Sequence, residues 1–369
     1  MRPLRLRTST QPRAVATLLL LCGVGSALQS QQLDEVLRQH VDELASPGAV
    51  VAVLRNGELS TFTSGWRGEA QSEPIEADDR LRFGSVSKLF LAVVLLQLVE
   101  EGRLDLDAPI ASYVDGVPQG ERISLRMLGG HRSGLTDPIR HLPFHVRLAA
   151  DPQHLWTSEE LLDFTFAQEQ AAEPGEKFSY SNINSTLLSR VVEKVTGRSY
   201  REEIRRRILE PLGLQTIGFT HSGSPSVKPS VRGYRHGRAK DPVGYGDVWF
   251  DASEWSDSWA GAGAGIAGTA ADLARFVEGL FGGDLVSAGA LETLRGEGDY
   301  GFQCMRVDTP LGPVWGHNGD VPGYSASAFY IPQTRTALAV LANLSNEKDG
   351  SSPASKIRDA LFEALATKN

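Results

Sequence analysis

Ser85-Val86-Ser87-Lys88 places a hydroxyl and an amine three residues apart at the start of an apolar run, Leu89 to Leu96. Residues at that spacing share a helix face. A serine needs an adjacent proton acceptor to attack a carbonyl, and an uncharged amine one turn away can supply it. The same four residues also suit an ordinary helix start, with a serine N-cap and a solvated lysine in the first turn. Two further clusters carry polar groups of the right kind. Tyr180-Ser181-Asn182 follows a Pro174-Gly175 turn and precedes a helical pattern of Leu187, Leu188, Val191, Val192 and Val195. Trp315-Gly316-His317-Asn318-Gly319-Asp320 lies far downstream, and its Gly319 lets a backbone approach a ligand closely. Taken alone, Asn182 also reads as an N-cap of the helix that follows it.

The elements that must position these residues are legible as patterns. Leu33, Val36, Leu37, Val41 and Leu44 recur at helical spacing. Residues 49–55 and 58–64 are β-rich runs around Asn56-Gly57, the strongest two-residue hairpin signal. A short strand at 80–83 leads into the Ser85 helix, which ends near Gly102. Helical patterns at 158–168, 184–196 and 200–209 follow, with stop signals at Gly197 and Pro211. Residues 221–259 are rich in Gly, Pro and Ser with little periodicity and read as a long loop. Strand patterns return at 300–307, 313–317, 324–331 and 336–343, and residues 356–366 form a closing helix. The fold class is therefore α/β of the α+β kind, an antiparallel sheet flanked by helices. An α/β part, residues 28–104 and 260–369, comes from both ends of the chain, and a mainly helical part, residues 105–259, is inserted into it. A cleft between two such parts is a common place for a small-molecule site.

Composition narrows the function classes. Arg2, Arg5, Arg7 and Arg13, the apolar run from Ala14 to Leu21 and Gly25-Ser26-Ala27 read as a secretory signal over residues 1–27, too short for a comfortable membrane span. A lipid anchor on Cys22 requires a small residue before it, and Leu21 is not small. Export to the periplasm or the medium is the expectation, with no stable membrane span after cleavage. Residues 1–27 hold four of the 37 Lys+Arg and none of the 45 Asp+Glu, so the remainder carries a net charge of −12. Such a surface does not attract nucleic acid. Cys304 is then the lone cysteine, which cannot form an internal disulfide. His141, His145 and His154 lack a Cys or carboxylate cluster at zinc spacing, so neither a metal nor any other cofactor is expected. The sequence sets no oligomeric state.

Ser-x-x-Lys, Tyr-Ser-Asn and His-x-Gly, in that order, resemble the three signatures of the penicillin-recognising serine hydrolases, the serine β-lactamase and penicillin-binding-protein-like family. Tyrosine in the second motif is similar to the class C lactamase, DD-carboxypeptidase and related esterase branch. Leu128 to Leu135, the Gly-rich stretch 261–268 with the helix pattern after it, and Gly323-Tyr324-Ser325 resemble further family segments. The likeness covers nearly all of the chain after its first thirty or so residues and implies a β-lactamase/transpeptidase-like fold in a single catalytic domain over residues 28–369.

By that resemblance Ser85 attacks a carbonyl to form an acyl-enzyme, Lys88 helps take its proton, and Tyr180 shares or relays the proton and later activates water. Which of Lys88 and Tyr180 is the base stays open, and their titrations are expected to be coupled. A lysine near neutral pKa requires burial or a neighbouring positive charge. Asn182 would hold Lys88 and hydrogen-bond the substrate amide, and His317, Asn318 and Gly319 would line the substrate site. The backbone N–H groups of Ser85 and Asp320 would form the oxyanion hole, with the Asp320 carboxylate turned away from it. His317 stands where typical lactamases place a lysine. With an ordinary pKa near 6.5 it would be mostly neutral at pH 7 and bind a substrate carboxylate better as the pH falls. His131 reads as a packing or loop-fixing residue. The expected activity is that of an exported D-alanyl-D-alanine carboxypeptidase-type peptidase acting on a small-molecule or peptide substrate. An esterase or β-lactamase on the same scaffold is the alternative, and a non-catalytic penicillin or peptidoglycan sensor is a remote one.

Overall fold

The computed structural model describes residues 30–43, 47–68, 73–221, 226–237, 249–347 and 349–367; the expected signal segment lies outside them. Helix α1 (30–43) is followed by strands β1 (Gly48–Arg55) and β2 (Glu58–Gly65), the short β3 (Leu81–Arg82) and helix α2 (Ser87–Glu100). Helices α3 (Leu125–Gly129), α4 (Leu142–Ala150), α5 (Ser158–Phe166), α6 (Asn182–Thr196) and α7 (Tyr200–Ile204) come next, α7 running into a π-helical turn at Arg205–Leu209. After β4 (Gly218–Phe219), β5 (Tyr234–His236), β6 (Trp249–Asp251) and β7 (Ile266–Gly268) come α8 (Ala270–Gly282) and α9 (Ala288–Arg295). Strands β8 (Met305–Thr309), β9 (Gly312–Val321), β10 (Tyr324–Ile331) and β11 (Thr336–Ala342) and helix α10 (Pro353–Ala366) complete the described chain.

Six strands form one antiparallel sheet in the order β2-β1-β11-β10-β9-β8, so the first hairpin pairs with the last strand. Asn56 and Gly57 sit at φ 52° and 80°, the doubly positive turn that an Asn-Gly hairpin favours. Alternate residues of each strand face opposite ways. Val50, Ala52 and Leu54 of β1 pack toward α2 and α8, while Ala49, Val51 and Val53 pack with Leu33, Leu37, Ile357 and Leu361 of α1 and α10. Both faces are covered, which is why β1 and β11 are apolar runs without polar alternation, and the alternating Ser325 and Ser327 of β10 are buried with their hydroxyls donating to the Leu344 carbonyl and Asn318 Oδ1. Helix α2 lies deep in the larger core; only Gln97, Val99 and Glu100 escape full burial, as a helix apolar all round its circumference requires.

Two stretches depart from the sequence expectation in ways that matter to the site. Strand β8 begins only at Met305. Residues 300–304 instead form a tight turn: a Cβ on Gly301 would fall 2.2 Å from the Leu294 carbonyl, and Gln303 adopts φ +56°. Strand β9 continues past His317 to Val321, so the third cluster lies within a strand. The expected loop at 221–259 contains the β5–β6 ribbon; residues 222–225 and 238–248 of it lie outside the described set.

Candidate active site

Ser85 sits in a 3₁₀ turn, Gly84–Val86, that feeds directly into α2. Side chains three apart nearly eclipse in such a turn. Lys88 Nζ accordingly lies 3.0 Å from Ser85 Oγ. Lys88 is fully buried, and its other two partners are Asn182 Oδ1 at 2.8 Å and the Gly263 carbonyl at 3.1 Å. A carbonyl only accepts, and Asn182 presents its oxygen because its Nδ2 donates to Asp137 Oδ2 at 3.0 Å. Two N–H bonds of the amine are therefore committed. The remaining position, a lone pair when Lys88 is neutral, faces Ser85 Oγ. Burial draws the Lys88 pKa down to about 7, against the opposing field of Asp137. Gly263 makes this packing possible, since a Cβ there would lie 2.6 Å from Nζ.

Tyr180 Oη donates to Ser85 Oγ at 3.0 Å, and its ring centre lies 5.0 Å from Lys88 Nζ. Burial pushes the phenol above its ordinary value of 10, so it remains protonated near neutral pH. The extended chain that carries Tyr180 turns at Asn182 into α6. Asp137 fixes that corner. Its Oδ2 accepts from the Asn182 N–H at 2.6 Å as well as from Nδ2, and its Oδ1 accepts from the Ile139 N–H. Asp137 is buried and in the field of Lys88, and its one signal in the sequence is its place before Pro138, which reads as a turn or cap.

Strand β9 closes the other side of Ser85. A Cβ on Gly319 would fall 2.0 Å from the Phe83 carbonyl and 2.8 Å from the Ser85 nitrogen, and one on Gly84, at φ +51°, would fall 2.9 Å from the Asp320 nitrogen. Only glycines at both positions let the amides of Ser85 and Asp320 come together beside the Ser85 hydroxyl. The sequence expectation that the Asn318 side chain lines the substrate site is altered. Asn318 turns to the α10 side of the sheet, where Oδ1 accepts from Arg358 Nη1 at 2.5 Å and Ser327 Oγ at 2.9 Å. Asp320, two residues along and on the same face, lies in the field of Arg358 and away from the hydroxyl.

His317 faces the site side but is 2% exposed. Its Nδ1 meets the Asn318 carbonyl at 2.5 Å and its Nε2 meets Tyr300 Oη at 3.0 Å. Burial, reinforced by Lys88, lowers its pKa to about 3. The expected gain of charge near pH 6.5 is therefore absent, and with it the cation for a substrate carboxylate. No pattern in the sequence ties Tyr300 to the three clusters, so its place here is set by the fold alone. His131 is buried between Tyr300, Ser181 and Asn184, in keeping with a loop-fixing part. His141, His145 and His154 disperse to Thr136, the Ile139 carbonyl and Glu160. Among the described residues no group of three metal-ligating side chains converges.

Comparison with known proteins agrees with this geometry. The Beta-lactamase family pattern matches residues 33–362. The chain is 24% identical over 315 residues to a putative penicillin-binding protein PbpX of Bacillus subtilis, covering 85% of this chain and 74% of that one. It is 26% identical to penicillin-binding protein 4* of the same organism, over 80% and 68% of the two chains. Among solved structures, a D-stereospecific amidohydrolase from Streptomyces sp. superposes with a TM-score of 0.77 at 29% identity, over 90% of this chain and 98% of that one. A D-amino acid amidase from Ochrobactrum anthropi SV3, complexed with D-phenylalanine, gives 0.81 at 26%, over 92% and 99%. With its serine, lysine and tyrosine gathered on one hydroxyl and its likeness running through both layers of the fold, the chain belongs to the Beta-lactamase family of serine hydrolases.

Proposed function

We propose that the protein hydrolyses the amide of a D-amino acid whose leaving amine carries no carboxylate, through an acyl-enzyme on Ser85. The observation that carries the reading is the Ser85 hydroxyl held at 3.0 Å by both Lys88 and Tyr180, with Lys88 drawn to about 7. Neutral Lys88 takes the Ser85 proton as Oγ bonds to the carbonyl carbon. The Ser85 and Asp320 amides receive the developing oxyanion. Tyr180, protonated beside the same oxygen, passes a proton to the departing nitrogen and recovers one from Lys88. Water then cleaves the ester by the reverse path, with Asn182 holding Lys88 and the substrate amide.

The substrate class is supported by the D-specific amidases among the structural neighbours and by His317, which offers no positive charge to a terminal carboxylate. Phe178, 47% exposed two residues before Tyr180, packs on the Tyr300 ring and adds an apolar surface near the site. The D-alanyl-D-alanine carboxypeptidase reading stands second, favoured by the penicillin-binding relatives. A substrate panel on purified protein separates the readings: D-phenylalanine amide, a D-Ala-D-Ala peptide, a nitrophenyl ester and a chromogenic cephalosporin. The amide is expected to give kcat/KM at least about tenfold above the peptide. The reverse order establishes the carboxypeptidase, and turnover of the ester alone an esterase. Ser85→Ala should abolish covalent labelling by a fluorophosphonate while the fold survives; labelling at the wild-type rate would refute the acyl-enzyme. Residues 1–27 are read as an export signal, to be checked by N-terminal sequencing of secreted protein, which should begin at Leu28.

A further inference from the structure

Four hydrogen bonds run in one direction beneath the Ser85 site, and their polarity is fixed independently at each end. At one end the Ser181 backbone N–H donates to His131 Nδ1 at 3.2 Å, joined by Asn184 Nδ2 at 3.0 Å. A backbone amide can only donate, so the His131 proton is on Nε2. That nitrogen lies 3.1 Å from Tyr300 Oη and donates to it. Gln303 Nε2, at 3.4 Å from His131 Nε2, is itself a donor and directs its proton to the Gly129 carbonyl. At the other end His317 Nδ1 meets the Asn318 carbonyl, which can only accept, so the His317 proton is on Nδ1 and its Nε2 is bare. Tyr300, receiving at its oxygen from His131, gives its own proton to that bare Nε2 at 3.0 Å.

The ends of this chain are the two walls of the site. Ser181 lies between Tyr180 and Asn182, and the Asn318 carbonyl immediately precedes Gly319 and the Asp320 amide. We propose that Tyr300 is a positioning residue whose hydroxyl joins these walls, holding His317 as a neutral acceptor and setting Tyr180 and the Asp320 amide at their separation across Ser85. The proposal assigns His317 a part in this strut in place of substrate contact. It rests on the reading of Ser85, Tyr180 and the Asp320 amide given above.

The surroundings are built to hold Tyr300 in place. His131 and Gln303, both without exposed surface, adopt φ +52° and +56°, a region non-glycine residues seldom occupy. Strain of this kind persists only where neighbouring contacts over-determine it, and it gathers at functional sites. Here the contacts are the Ser179 N–H to the His131 carbonyl, the Gln303 N–H to the Gly129 carbonyl and Ser185 Oγ to Gln303 Oε1. The Tyr300 ring stands edge-on to His131 and His317, with centroids at 5.0 and 5.7 Å. Loss of the hydroxyl alone would leave this packing intact.

The test has two arms on the full chain. Long-range ¹H–¹⁵N correlations of the ligand-free protein at pH 7, assigned with His131→Asn and His317→Asn variants, should show His131 protonated at Nε2 and His317 at Nδ1. In Tyr300→Phe the His317 Nε2 resonance should move, since its donor is gone. The limiting rate of fluorophosphonate inactivation should fall about tenfold to a hundredfold in Tyr300→Phe, the loss a displacement of about 1 Å produces. Half-saturation and the melting temperature should change little. A His317 imidazolium or Nε2–H tautomer in the wild type would overturn the proposal, as would an unchanged limiting rate in Tyr300→Phe or a rate loss matched by a large drop in melting temperature. Failure of the wild type to label at all would instead refute the Ser85 reading, and the tautomers would still decide the strut.

Discussion

Lys88 owes its chemistry to where it is buried. Lowering an amine from its ordinary 10.5 to about 7 corresponds to roughly 5 kcal/mol of lost preference for the charged form. Partners that accept only two of its protons leave the third position for Ser85. Acylation should therefore follow the neutral amine: the limiting rate of fluorophosphonate inactivation should rise along a single titration near pH 7 and level off above pH 8. Lys88→Met, which keeps the buried chain length and lacks a proton acceptor, should lower that rate about a thousandfold or more without loss of fold. A profile flat between pH 5.5 and 9 would transfer the base role from Lys88 to Tyr180. Tyr180, held protonated by burial, is poised to donate.

At the scale of elements, the site depends on how closely β9 rests on the turn before α2. Gly319→Ala places a methyl 2.0 Å from the Phe83 carbonyl, a backbone atom that cannot rotate away. Strand and turn must separate, and overpacking of this kind costs about 1–3 kcal/mol. Expected together are a lower melting temperature and a fall of about a hundredfold or more in labelling at Ser85, since the Ser85 and Asp320 amides no longer converge. An alanine variant that labels at the wild-type rate would show that these amides do not act as a pair. The opposite face of β9 is pinned by Arg358 of α10 to Asn318, so the strand is clamped from both layers.

At the scale of the whole molecule, the buried neutral histidines contribute stability that acid removes. His317 titrates near 3 when folded and near its ordinary 6.5 when unfolded, and His131 is likewise held well below 6.5. Between those values the unfolded chain binds more protons, so stability is fully present above pH 6.5 and is lost as the pH falls toward 3. His317 adds a slope of about 1.4 kcal/mol per pH unit in that window, and His131 acts in the same direction. Lys88 acts in the same sense at higher pH: the unfolded amine keeps its proton up to 10.5 and the folded one releases it near 7, so stability rises further with pH between them. Asp137 and Asp320, whose buried carboxyls are raised in the fold, act in the opposite sense over the same range, so the diagnostic is a difference: in urea unfolding from pH 7 to 4 the slope of His317→Gln should be flatter than that of the wild type by about one proton. Equal slopes in the two proteins would mean that His317 is not buried neutral.

Much of this protein was written in residue types and short spacings, because those act locally. Asn56-Gly57 specified the first hairpin, alternating and apolar runs marked β10 and β11, and Ser85 and Lys88 share a turn whatever surrounds them. Tyr180-Ser181-Asn182 and His317-Asn318-Gly319 were legible as clusters with chemical content. Tertiary structure decided what no local spacing contains: that β1 pairs with β11, that Asp137 sits behind Asn182, and that Tyr300 reaches both His131 and His317. It also decided the charge of His317. The residue type alone placed its titration near 6.5, but a proton's free energy is set by the water excluded and the groups brought near, and only the packed chain defines those.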